Sequence, residues 1–200
     1  LNMGIAGIPW WTTDIGGFFG ANINDPEFHE LLVRWFEYGC FCPVMRLHGY
    51  RWPLQPQYGT TGGATCVSGA PNEVWSYTDQ VCEILSDYLR LRERMLPYIT
   101  ELMEEAHEKG TPVMRPLFYD FPEDKESWNV ETEYMFGPKV LVKPITDADA
   151  RETDVYLPGG ASWTNAWTGE TFEGGQKVHV AAPIEQIPLF TRDGYKLPMK

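Results

Sequence analysis

The chain has 200 residues, 43% hydrophobic and 14% aromatic, enough to bury a sizeable core in one or two domains. With 16 Lys and Arg against 28 Asp and Glu, the net charge of −12 argues against phosphate-backbone binding and against anionic membrane surfaces. Neither nucleic acid nor a membrane is therefore expected as a partner, and no apolar run approaches the roughly 18 residues of a membrane span. The start, "LNMGIAGIPW", lacks the basic flank and small-residue cleavage site of a signal peptide, and it lacks an initiating Met. The expectation is a globular chain cut from a longer one, its compartment unassigned.

In chain order, "GIAGIPWW" (4–11) is apolar throughout and predicts a strand buried on both faces of a parallel sheet. Asp14 then falls just past its carboxyl end. "NDPEFHELLVRWFEYG" (24–39) predicts a helix with Asp25 as cap and Pro26 at the first helical position. Its apolar stripe is Phe28, Leu31, Leu32, Trp35 and Phe36, and Gly39 is the stop. "CFCPVMRLHG" (40–49) reads as the next strand, ending in Arg46, His48 and Gly49. A Gly- and Pro-rich loop (50–73) leads into a long helix or helix pair over 72–110, with Asn72 as cap and a break at Pro97.

Near Gly110 the composition shifts to short strands punctuated by turn residues: "KVLVKPI" (139–145), "ETDVYLP" (152–158), "GQKVHVAAP" (175–183) and "IPLFTRDGYKLP" (187–198). Two domains follow, 1–109 and 110–200. The first is α/β with the alternation of a TIM barrel, and the second is all-β and antiparallel. A complete barrel needs roughly 250 residues, so the first domain holds only the last part of one.

Functional groups of such barrels gather at the carboxyl ends of the strands. That places Asp14 and His48 over one pocket, with Trp10, Trp11, Phe18 and Trp52 offering flat apolar faces to a sugar ring. A capped turn and aromatic core packing is the competing reading. The cysteines are expected as buried free thiols without a disulfide framework. Cys40 and Cys42, spaced CxC, would point to opposite faces of a strand and do not make a metal site. A metal hydrolase built on Asp14 and His48 lacks further ligands. In "SWTNAWTGE", Trp163 and Trp167 could form a sugar platform or pack the second domain and its seam with the first. His29, His107 and His179 are scattered.

Four segments carry a resemblance. "GIPWWTTDIGGFFG", "FHELLVRWFEYGCFCPVMRLHG", "LRLRERMLPYITELMEEAHEKGTPVMRPLFYDFPED" and "YMFGPKVLVKPI", in this order, resemble family 31 glycoside hydrolases, the α-glucosidases and α-xylosidases. The resemblance runs from about residue 4 to residue 198. It implies the last two βα units of a (β/α)8 barrel followed by a β-sandwich domain. It also implies a retaining exo-α-glycosidase whose nucleophile and acid/base Asp both precede the "DIGGF" motif, and so precede Leu1. Asp14 is then no nucleophile but a structural or electrostatic partner at the pocket floor. His48 matches a histidine that hydrogen-bonds sugar hydroxyls in the −1 subsite, a task suited to a neutral imidazole with one donor and one acceptor. Phe18 matches an aromatic residue lining the same subsite, with Trp11 beside it and Trp52 as an aglycone contact.

The implied partners are a glycoside or oligosaccharide substrate and the upstream part of the same barrel, with no metal or organic cofactor. The rival is a free-standing carbohydrate-binding or interaction module. Retaining chemistry needs two carboxyls about 5 to 5.5 Å apart. Asp14 with Glu73 or Asp120 is the pair to try, though their spacing does not bring them together.

Overall fold

Residues 4–11 are not the doubly buried strand expected of them. In the computed structural model, which describes residues 1–199, they follow a single helical turn, α1 (Asn2–Ile5), and leave Ile5, Ile8 and Trp10 exposed. An extended segment satisfies its backbone only beside another strand, and the neighbouring segment 44–52 pairs further along the chain. The turn closes locally instead, Ala6 N–H donating to the Asn2 carbonyl at 2.9 Å.

Pairing begins at Trp11, whose carbonyl accepts from Val44 N–H (3.2 Å), and continues as Ile15 N–H to Arg46 (3.2 Å) and Tyr50 N–H to Phe18 (2.9 Å). Its regular end is the parallel pair β1 (Phe19–Asn22) and β2 (Tyr50–Trp52). The second strand therefore lies some ten residues beyond its expected start. Residues 41–43 turn instead, because Pro43 has no N–H to donate and Arg92 gathers the carbonyls of Cys40, Cys42 and Pro43 at 2.7 to 2.8 Å.

Between the strands crosses α2 (Pro26–Cys40), capped as expected: the Asp25 carboxylate accepts from Glu27 N–H at 3.0 Å, and Pro26 opens the first turn. Strand, crossover helix and parallel strand make a βαβ unit. The buried face differs from the apolar stripe, since Leu31 is exposed while Arg34 and Glu37 are buried. Gly39 does not stop the helix; a Cβ there would stand 2.5 Å from Ile15 Cδ1, so glycine permits the close approach of helix and strand.

The expected helix pair is α3 (Asp79–Arg94) and α4 (Leu96–Lys109), jointed at Met95 with Pro97 in the opening turn of α4. Thr78 rather than Asn72 caps α3, its hydroxyl accepting from Val81 N–H; Asn72 accepts from the Tyr77 hydroxyl at 2.5 Å. Gly110 ends α4 at φ +71°, a left-handed conformation that side chains disfavour.

Beyond it come β3 (Met114–Arg115), the turn α5 (Leu117–Asp120), β4 (Tyr134–Phe136), β5 (Val140–Val142), β6 (Glu152–Leu157), β7 (Ser162–Asn165), β8 (Thr171–Glu173), β9 (Gln176–Ala181) and β10 (Leu189–Arg192). The four expected strands are β5, β6, β9 and β10, the last shorter than expected. An antiparallel six-stranded sheet runs β3-β4-β5-β10-β7-β8, and β6 pairs antiparallel with β9.

The six-stranded sheet is a middle layer. Met135, Leu141 and Phe190, in register across three strands, join Val155, Leu157, Val178 and Val180 of the β6–β9 pair in one hydrophobic cluster. Their alternate neighbours, Phe136, Val140, Val142 and Leu189, join Leu85, Leu91, Met95 and Ile99 of the helices in the other. Burial on both faces is why "YMF" and "VLV" read as continuous apolar runs.

Arg34 fastens α2 to the ends of the β6–β9 pair. Its guanidinium donates to the carbonyls of Ala182 (2.7 Å), Ala150 (3.0 Å) and Pro183 (3.2 Å) and to the Glu37 carboxylate (3.1 Å). The Tyr88 hydroxyl lies 3.1 Å from Glu37 Oε1 and from the Glu185 carbonyl and accepts from Ile187 N–H. Burial pushes the Glu37 carboxyl up to about 8, against the pull of Arg34.

Candidate functional site

The loop that carries Asp14 is shaped from beneath. Ile15 is fully buried and bridges Leu47, so Asp14 before it projects from the other face of the paired strands. Gly16 and Gly17 follow at φ +81° and +84°, and the turn closes through Gly17 N–H to the Asp14 carbonyl at 2.8 Å. Arg51, fully buried, donates to the carbonyls of Gly17 (2.7 Å) and Ile15 (3.1 Å) and lies over the Phe28 ring at 5.2 Å. A Cβ at Gly16 would stand 2.6 Å from that guanidinium. Thr13 is fixed from α2, its hydroxyl accepting from Trp35 Nε1 at 2.6 Å.

On the outer face, Arg46 forms an ion pair with the half-buried Asp14 carboxylate. Arg46 and His48 flank Leu47 and so share that face. The Phe18 ring, 64% exposed, tilts at 34° against the imidazole with centroids 5.5 Å apart. Asp14, Arg46, His48 and Phe18 are thus one open cluster: a paired carboxylate and guanidinium, an accessible imidazole and a bare aromatic face. Such a set can donate to and accept from hydroxyls and cover an apolar ring edge.

The remaining sequence candidates lie elsewhere. Trp11 is on the opposite face with Thr13, in a groove of about 560 Å³ that also holds Trp35, Tyr38 and Tyr134. Trp52, 41% exposed, ends β2 in register with Asn22. The loop after it is a closed excursion, since Gln55 and Ser68 exchange backbone hydrogen bonds and the Tyr50 hydroxyl holds the Val67 carbonyl at 2.7 Å. With Gly49 and Tyr50 it encloses a cleft of about 630 Å³. Glu73 and Asp120 are engaged at their own positions, by the Ser76 hydroxyl (2.9 Å) and by Arg115 (3.1 Å). Trp163 is buried in the second cluster, which rules it out as an exposed platform.

One residue escaped the sequence reading. Arg51 is indistinguishable from a surface arginine in a Gly- and Pro-rich loop, and no spacing signals its burial. Arg46, read as a strand end beside His48, pairs with Asp14 and so ties the two strands. Of the four free cysteines, Cys40 and Cys42 are buried as expected, with thiols pushed up to about 12 by desolvation, whereas Cys66 is exposed.

Fold and site define a class: a βαβ barrel-type segment, with an open polar and aromatic cluster on its parallel strands, leading into an antiparallel β domain. The sequence matches the TIM-barrel domain of family 31 glycosyl hydrolases over residues 1–102 and the family 31 C-terminal domain over residues 110–197. The chain belongs to glycosyl hydrolase family 31.

An α-xylosidase of Saccharolobus solfataricus is 39% identical over 199 residues, which are 100% of this chain and 25% of that protein. Alpha-glucosidase 2 of Bacillus thermoamyloliquefaciens is 35% identical over 195 residues, 97% of this chain and 22% of that one. The structure resembles a family 31 α-xylosidase from a soil metagenome, complexed with xylose, with a TM-score of 0.94 and 51% identity over 98% of this chain and 29% of that one. The chain thus spans about a quarter of the length of the curated relatives it matches.

Proposed function

We propose that this chain is the part of a retaining exo-α-glycosidase that forms one wall of the −1 sugar subsite, for a terminal α-linked xylose or glucose. Residues 1–109 contribute the last two βα units of the (β/α)8 barrel, and 110–200 form the β-sandwich domain that follows. The observation that carries this reading is the cluster of Asp14, Arg46, His48 and Phe18 on one face of the parallel strands. Relatives named α-xylosidase and α-glucosidase support the substrate class.

His48 exchanges hydrogen bonds with sugar hydroxyls, donating from one ring nitrogen and accepting at the other. Phe18 covers the C–H face of the ring. Asp14, held by Arg46, is an acceptor and a fixed negative charge at the pocket floor, not the attacking group. Trp52 and the closed loop behind it meet the aglycone. Trp11 lines the groove on the other face, against which the upstream part of the barrel docks. The nucleophile and the acid/base are Asp residues of that upstream part, about 5 to 5.5 Å apart, and this segment alone is inactive. The double displacement uses water as acceptor and no metal or organic cofactor.

The test is hydrolysis of aryl α-xyloside and aryl α-glucoside by the 200-residue chain and by the same chain joined to an upstream barrel. Activity in the joined protein alone supports the reading, and the faster substrate names the sugar. Turnover by the short chain would place a catalytic carboxylate pair within it and overturn the assignment. Sugar binding without hydrolysis in either form would favour the rival, a stand-alone carbohydrate-binding module.

A further inference from the structure

A second cleft, of about 620 Å³, opens between α3 and the turns of the β domain, and it shares no lining residue with the His48 cluster. That volume falls within the range of small-ligand sites. One wall is a stripe of α3, with Gln80, Glu83 and Asp87 exposed along it at helical spacing. The other is Trp167, in the β7–β8 turn, with Glu185 and Gln186 of the β9–β10 connection.

The β-domain wall is fixed from behind. Trp167 Nε1 donates to the Ile187 carbonyl at 2.7 Å, which orients the half-buried indole, and Asn165 Oδ1 accepts from the Trp167 N–H at 2.9 Å. The 185–187 segment is held by Tyr88, through the Glu185 carbonyl and the Ile187 N–H, and by Arg34 through the Gln186 carbonyl. The Trp167 indole and the 185–187 backbone are therefore held in place before any ligand arrives.

We propose that this cleft is a second carbohydrate-binding site, taking a neutral sugar unit against the Trp167 ring. Its chemistry decides the ligand class. The two glutamine amides donate and accept and the three carboxylates accept, Asp87 already holding Arg90, while Arg94 at one end is turned to the Pro198 and Met199 carbonyls; hydroxyls, which donate and accept, match such a mixture. An apolar ligand would leave those polar groups unpaired on desolvation. Anionic ligands are repelled by the local excess of carboxylates and by the net charge of −12. A sugar bound here touches both the helical and the β part, so it stabilises their seam by mass action.

The experiment is calorimetric titration of the whole chain with maltotriose and with isomaltotriose, repeated on Trp167→Ala, on Gln80→Ala/Glu83→Ala and on His48→Ala, with thermal unfolding followed alongside. The double variant changes exposed helix positions only, so it separates lost binding from lost folding. Binding that weakens at least tenfold in the first two variants, persists in His48→Ala and raises the melting temperature of the wild type is expected. Binding lost in His48→Ala and kept in the other two would overturn the proposal in favour of a single sugar site. So would saturable, salt-sensitive binding of tetralysine with none of either sugar, which would make this a cleft for cationic peptides. No binding of any probe would overturn it as well, leaving the reading of the His48 cluster to its own test.

Discussion

The two halves of the chain hold their strands in different ways. In the β domain every strand finds its partner within 110–199, and the six-stranded sheet is covered on both faces by side chains of this chain. In the first half the candidate site lies on the segments 14–18 and 46–48 that lead into a short parallel pair, with Phe18 and Phe19 exposed beside it. One half is stabilised by cross-strand rows of apolar side chains. The other depends on two buried arginines, Arg34 and Arg51, whose charges are met chiefly by backbone carbonyls.

The sharpest way to break that comparison is to remove the arginines. Arg34→Ala strips four carbonyls of their donor and leaves buried Glu37 with only the Tyr88 hydroxyl, and should cost about 3 to 5 kcal/mol in urea unfolding. Arg51→Ala should cost about 2 to 4 kcal/mol, because the Ile15 and Gly17 carbonyls lose their donor, and Arg51→Lys should recover only part of it. An equal loss from Arg90→Ala, whose side chain pairs only with exposed Asp87, would mean that burial is not what matters.

Next comes Gly39→Ala, which forces Ile15 to move and should cost about 1 to 3 kcal/mol by the same measurement.

A pH-dependent effect tests the seam. Glu37 holds its proton up to about pH 8 when folded but loses it near 4.5 when unfolded, so the folded state binds the extra proton between those values. Stability from this group is complete below about 4.5 and falls as pH rises to 8, by up to about 1.4 kcal/mol per pH unit. Glu133, pushed up to about 7 by burial, acts in the same direction over a narrower window. Melting curves of Glu37→Gln should therefore decline less between pH 5 and pH 8 than those of the wild type; an unchanged slope would refute the assignment. The smallest expected effect is that of Asp14→Asn, below about 1 kcal/mol in stability because its ion pair is partly solvated.

What the sequence made legible follows the same division. Strands of the β domain announce themselves by short apolar runs between turn residues, although β3, β4, β7 and β8 did not stand out. Helix α2 was readable from Asp25 and Pro26, because caps are local. The parallel strands begin some ten to fifteen residues later than read, since an apolar run does not say where its partner begins, and "GIAGIPWW" is not a strand. At the site, His48 and Phe18 were legible as a strand-end imidazole and an aromatic face, the resemblance supplied their expected roles, and the structure puts the two rings side by side. Trp11, expected beside them, faces the other way, because one residue of offset in an extended chain changes the face.

The most direct test of the central claim is the titration of this chain with xylose and with glucose, followed by the imidazole proton resonances of its four histidines. The account predicts that His48 shifts in a saturable way, that Asp14→Asn weakens the effect, and that His29, His107 and His179 do not respond. Saturable sugar binding that leaves His48 unmoved, or no binding at all, would contradict the assignment of this cluster as a wall of a sugar subsite.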